Sequence, residues 1–140
     1  VIDPIQLDLA RVMGAHLVLL IVASLDQPTL RELVHHTRQR GMEAVVEVFD
    51  EAELERALDA GASIVGVNAR DLRTFRVDHS QALAVVSAIP KDKVSVFMSG
   101  IDTAASFKDI SKTGVDAVLI GESLIRSPSP GQKLKELVSG

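Results

Sequence analysis

The stretch Gly41-Met42-Glu43-Ala44-Val45-Val46-Glu47-Val48-Phe49-Asp50 holds the pattern on which the fold turns. A glycine closes one helical segment, a short apolar run begins three residues later, and an aspartate is placed to open the next helix. Glycine enters the left-handed conformation that ends helices, and runs of Val and Ala suit strands covered on both faces, as parallel strands are. Working outward, the same grammar recurs. Gly14 precedes Leu17 to Val22, Gly61 precedes Ile64-Val65, and Gly114 precedes Ala117 to Ile120. A fifth run, Val94 to Phe97, follows Pro90, which stops a helix instead of a glycine.

The segments between these runs carry apolar residues at helical spacing, each forming one stripe to bury. The stripes are Leu30, Leu33 and Val34; Leu54, Ala57 and Leu58; Ala82, Val85, Val86 and Ile89; and Leu134, Leu137 and Val138. Asp3 before Pro4, Asp50, Asp78 and Asp102 are placed to cap helix starts. The reading is an α/β fold, α(βα)5, with five parallel strands in one domain over residues 1–140 and a short turn at Ser127 to Gly131. Alternating β and α elements make either part of a TIM (β/α)8 barrel or an open doubly wound sheet, and pattern leaves both open.

Length and composition narrow the function classes. A complete (β/α)8 barrel seldom takes fewer than about 200 residues, so the 140 residues here are read as part of one. With 46% hydrophobic and 24% charged residues the sequence is that of an ordinary globular domain, and its longest apolar run is too short to span a bilayer. The net charge of −4, with four aromatics that are all Phe, argues against nucleic-acid binding. No cysteine is present, which removes disulfides and thiolate metal sites and fits the cytoplasm. The chain opens on Val1 with no signal-like segment, which reads as a cut or a processing point.

In both architectures the carboxyl ends of the strands carry the site. Glu47 interrupts an apolar strand; it is either a desolvated proton-transfer group or a strand-end carboxylate held by a salt bridge or facing solvent. Asn68 and Arg70 follow the Ile64 to Val67 run, offering a neutral hydrogen-bonding group and a guanidinium that can grip a carboxylate or phosphate. The plainer alternative is a turn-forming Asn and an Arg paired to Asp71. Phe97-Met98-Ser99-Gly100 and Ile120-Gly121-Glu122-Ser123 each put glycine and a hydroxyl where a strand meets a helix, together forming a candidate phosphate cradle. His16, His35, His36 and His79 lack metal-ligand spacing and read as solvated, so no metal site is expected.

The segments Val1 to Gln6, Leu19 to Val22, Val45 to Val48, Gly66-Val67-Asn68-Ala69-Arg70-Asp71-Leu72, Ser99-Gly100-Ile101 and Leu119 to Leu124 resemble, in order, the C-terminal part of the indole-3-glycerol phosphate synthase family. The resemblance implies that the strands are the fourth to eighth of a ribulose-phosphate-binding barrel, with Val1-Ile2 as the tail of the third. It implies decarboxylative, dehydrating ring closure of 1-(2-carboxyphenylamino)-1-deoxyribulose 5-phosphate in tryptophan biosynthesis, with no cofactor. Glu47 then matches the carboxylate that transfers a proton during dehydration, Asn68 a substrate-orienting residue and Arg70 a group that binds the substrate's carboxylate. Ser99, Gly100, Gly121, Glu122 and Ser123 match the phosphate-binding positions.

Two departures temper that expectation. The family's general-acid lysine and further catalytic residues belong to strands upstream of Val1, and Met98 stands where the family usually has Glu. The 140 residues alone are therefore expected to be inactive, with the alternative of a non-catalytic phosphosugar-binding half-barrel. A response-regulator-like domain is disfavoured because no acidic cluster follows the first strand. Two unpaired edge strands are expected to lead to self-association, to a complementing N-terminal barrel fragment, or to rearrangement into an open flavodoxin-like sheet.

Overall fold

The computed structural model describes residues 1–139, in which five parallel strands form one sheet. Helix α1 (Pro4–Val12) leads into β1 (Leu17–Ile21), then α2 (Gln27–Gln39), β2 (Glu43–Val48), α3 (Glu51–Asp59), β3 (Ile64–Asn68), α4 (His79–Ala88), β4 (Val94–Met98), α5 (Ala104–Ser111), β5 (Ala117–Leu119), the short α6 (Glu122–Ile125) and α7 (Pro130–Val138). The anticipated α(βα)5 order is present, with a 3-10 turn at Val22–Ser24 and α6 added to it. Gly14, Gly41, Gly61 and Gly114 all have φ between +68° and +88°, the conformation that ends the helix before each run.

Strand order separates the two architectures that the sequence left open. Each strand pairs only with its sequence neighbours, β1-β2-β3-β4-β5, all parallel. A flavodoxin-like sheet has the order 2-1-3-4-5, with helices on both faces. Right-handed crossovers that always step the same way put every helix on one face, which is barrel winding. Accordingly α2 packs on α3, α3 on α4, and α5 on α7. The chain is a partial (β/α)8 barrel.

The two sheet faces are unequal. Val18, Leu20, Ala44, Val46, Val48, Val65, Val67 and Phe97 face the helices and are buried with Leu30, Leu33, Leu54, Ala57, Val85 and Leu137. The alternate residues form the concave face, where Leu17, Leu19, Val94 and Leu119 are exposed. Ile5, Leu9 and Val12 on α1 are exposed too.

Local chemistry explains the helix starts. Asp3, Asp50 and Asp78 cap their helices as anticipated, each accepting a backbone N–H two or three residues on. Asp102 does not: Thr103 caps α5 in a reciprocal box with Ser106, so the helix begins one residue later than the aspartate would start it. Asp26, overlooked in the sequence, caps α2 through Thr29 N–H. The anticipated turn at Ser127 to Gly131 is shorter, since α7 starts at Pro130. Of the stripe on α7 only Leu137 is buried, whereas Leu134 and Val138 are exposed.

Candidate active site

All five strands point the same way, so their carboxyl ends meet at one rim. Glu47 is the penultimate residue of β2, Asn68 the last of β3, and Met98 the last of β4, just before Ser99-Gly100. The Ile120-Gly121 corner follows β5. The register aligns Ile21, Glu47 and Gly66 across three strands, and Asn68, Met98 and Leu119 across the next layer.

Glu47 and Asn68 are both buried, and the Asn68 amide nitrogen donates to Glu47 Oε1 at 2.9 Å. A buried carboxylate is costly without a donor, and here Oε1 has a neutral amide as its donor and the group has no salt bridge. Asn68 Oδ1 in turn accepts the Arg70 backbone N–H at 3.0 Å, so one side chain both shapes the turn and holds Glu47. Arg70 does not pair with Asp71. Its Nη2 reaches Glu122 Oε2 at 2.9 Å and its Nη1 the Phe75 carbonyl at 3.3 Å, while Asp71 is engaged by Arg73, whose hydrogen bonds hold that carboxyl below its ordinary value.

Two cavities open on this rim. One, of about 260 Å³, is lined by Glu47, Asn68, Arg70, Glu53, Arg56 and Arg73 among others. The other, of about 300 Å³, lies between the two glycine corners and is lined by Met98, Ser99, Gly100, Gly121, Glu122 and Ser123, again with Arg70. Each is near the lower end of the usual range for ligand sites, roughly 300–1,000 Å³, and Arg70 is common to both. The structure thus brings together all eight residues singled out in the sequence.

The corner after β4 is held from behind. Ser99 and Gly100 have φ of +70° and +72°, and a Cβ on Gly100 would lie 2.5 Å from His79 Nε2 and 2.8 Å from Val77 Cγ1. Only glycine fits there. His79 is therefore not the solvated residue anticipated: at the first turn of α4 it sits half-buried, its ring edge-on to Phe97 at 5.9 Å. Met98 is buried, and its thioether crosses the backbone of Gly66, where a Cβ would be 2.6 Å from the sulfur. Ser123 Oγ donates to the Ile101 carbonyl at 3.0 Å, which ties the two corners together.

Several lining residues were missed in the sequence. Glu53 faces the first cavity and accepts the Phe49 N–H at 2.8 Å; burial pushes its carboxyl above the ordinary value while that hydrogen bond pulls it back. Its spacing three residues after the capping Asp50 is a legible signal for a group bent back to a helix start. Arg56 donates to the carbonyls of Val22 and Leu25, fastening the β1 end loop to α3, and no local pattern announces that contact. Among the described residues no three of His, Cys, Asp and Glu converge to hold a metal, and no helix is long and apolar enough to cross a membrane.

Comparison with known proteins adds the decisive observation, a match of residues 1–137 to the family profile described as indole-3-glycerol phosphate synthase. The chain belongs to that family. Indole-3-glycerol phosphate synthases of Mycolicibacterium smegmatis and Mycolicibacterium vanbaalenii are 43% and 42% identical to it over 139 residues, 99% of this chain. In both cases the match covers 51% of the relative, so this synthase-family chain spans about half the length of those curated relatives. Among solved structures, a 3-hexulose-6-phosphate synthase superposes with a TM-score of 0.78 at 20% identity, covering 99% of this chain and 69% of that one. The 3-hexulose-6-phosphate synthase from Salmonella typhimurium also gives 0.78, at 16% identity, covering 99% and 68%. At such identities the likeness is one of fold.

Proposed function

We propose that this chain supplies the dehydration and phosphate-binding wall of an indole-3-glycerol phosphate synthase active site. The observation that carries the reading is the convergence of Glu47, Asn68, Arg70 and both glycine corners on one rim, with Arg70 shared by two small cavities. A ligand with an aryl carboxylate at one end and a phosphate at the other fits two such linked cavities better than either alone. Glu47 exchanges a proton during loss of water, and Asn68 holds its carboxylate in place. Arg70, which lines both cavities, helps bind the substrate's carboxylate from the first and reaches the phosphate in the second, where the Ser99-Gly100 and Gly121-Glu122-Ser123 corners receive it. The ring closes with release of carbon dioxide and water, in the cytosol and without a cofactor.

Eight strands close such a barrel and five are present, so the complement is a segment of three β/α units that covers the concave face. The general acid needed at the departing hydroxyl is assigned to that segment. The 140 residues by themselves then have no synthase turnover. Met98, buried where the family usually has a carboxylate, favours a second reading in which the chain binds a phosphosugar without transforming it.

Titration with inorganic phosphate and with indole-3-glycerol phosphate, with and without a polypeptide carrying the first three β/α units of the M. smegmatis relative, tests both. Turnover by the pair that Glu47→Gln abolishes supports the synthase reading. Tight ligand binding by the pair without turnover supports the second, and turnover by the 140-residue chain alone overturns the division of labour.

A further inference from the structure

Glu122 has one carboxylate oxygen on each of two arginines. Its Oε2 lies 2.9 Å from Arg70 Nη2 and its Oε1 3.1 Å from Arg126 Nη2. The arginines differ in setting. Arg70 lines the cavity between the glycine corners and is anchored through Nη1 to the Phe75 carbonyl, whereas Arg126 is outside that cavity and largely exposed. Asp102 lines the cavity as well, and Arg70 is its one cationic lining residue among the described residues. Lys133, from α7, donates to the Asp102 carbonyl and is not among the residues that line the cavity. A phosphate dianion entering with Glu122 in place would meet that carboxylate on the one guanidinium of the lining.

We propose that Glu122 is a built-in stand-in for the ligand's phosphate. Its carboxylate holds Arg70 in this structure, and an arriving phosphate takes that place while Glu122 turns to Arg126. The exchange keeps Arg70 aimed into the cavity before binding and removes one like charge during it. Glu122 thereby sets the phosphate affinity and its selectivity over singly charged anions, because a monoanion gains less from displacing an equal charge. This inference rests on the phosphate reading of the second cavity.

The test is an NMR titration of the 140-residue chain with inorganic phosphate at constant ionic strength, following the Gly100 and Gly121 amides, in parallel with benzoate as a monoanionic carboxylate. Glu122→Gln is expected to tighten phosphate binding roughly two- to fivefold, the range an exposed ion pair supports, and to tighten benzoate binding by at least as large a factor, so that selectivity for phosphate falls. In an Arg70→Gln background that gain should fall to less than half, because the partner being competed for is gone. A gain that persists in full there means simple repulsion and overturns the displacement, as does a gain larger for phosphate than for benzoate. No phosphate response in the unsubstituted chain sinks the phosphate reading itself. A response that Glu122→Gln leaves untouched sinks only the exchange. Backbone spectra of each variant, unchanged away from the rim, establish that the fold is intact.

Discussion

Glu47 and Asn68 show how one hydrogen bond can prepare a site. The amide satisfies a carboxylate that the strand has carried out of water, and its own carbonyl is spent on the turn that aims Arg70. Beside them, Gly66 and Met98 form a tight steric pair, and a prediction follows at this scale. Gly66→Ala places a methyl 2.6 Å from the Met98 sulfur and 3.0 Å from Val45 Cγ1, so the thioether must swing aside while the stiff valine cannot. The expected cost is about 1–3 kcal/mol in urea unfolding, and it should shrink in a Met98→Ala background, measured as a non-additive double-mutant cycle. Equal costs in both backgrounds would mean that the sulfur is not the obstacle. Glu47, Asn68 and Arg70 were legible because polar residues at the ends of apolar strands stand out. The Glu122 partner of Arg70 was not, because 52 residues separate them and the nearer Asp71 offered an equally plausible charge.

At the scale of elements, the strand runs and helix stripes were readable from periodicity, and the left-handed glycines marked four of the five strand starts. Ends were less legible wherever two capping groups compete, as Asp102 and Thr103 do at α5. A different polar contact joins the last two strands at their amino ends. Asp116 accepts from both the backbone N–H and the hydroxyl of Ser95, at 2.8 and 2.9 Å, and these bonds hold its carboxyl below the ordinary value. A carboxylate whose folded pKa is depressed stabilises the fold above its unfolded pKa, about 3.9, and loses that contribution as pH falls through the folded value. Asp116→Asn should therefore flatten the acid limb of stability against pH and lower the plateau near neutrality, with β5 amides exchanging faster. An unchanged acid limb would assign the acid sensitivity elsewhere.

The whole molecule carries its clearest message in the imbalance between its two faces. The helix-facing side is a packed core, while Leu17, Leu19, Val94 and Leu119 line a concave side open to water, and Ile5, Leu9 and Val12 are further apolar residues exposed on α1. Apolar area left in water at about 25 cal/mol per Å² is a standing drive to association. The 140-residue chain should accordingly show concentration-dependent association in sedimentation, and Leu19→Lys combined with Leu9→Lys should reduce it. Adding the three-unit polypeptide should convert the associated species to a one-to-one complex. A monomer at every concentration would show that the face is tolerated in water.

Neighbour-only strand pairing also shapes how such a chain is made. Every strand's partner is either the one synthesised just before it or the one coming next, and the intervening loop closure is a single β/α unit long. Contacts that local let structure accumulate in the order in which the polypeptide leaves the ribosome, each new β/α unit docking on a template already waiting. Growth of this kind never has to reopen what has been laid down, so a barrel can be assembled, duplicated or spliced one unit at a time.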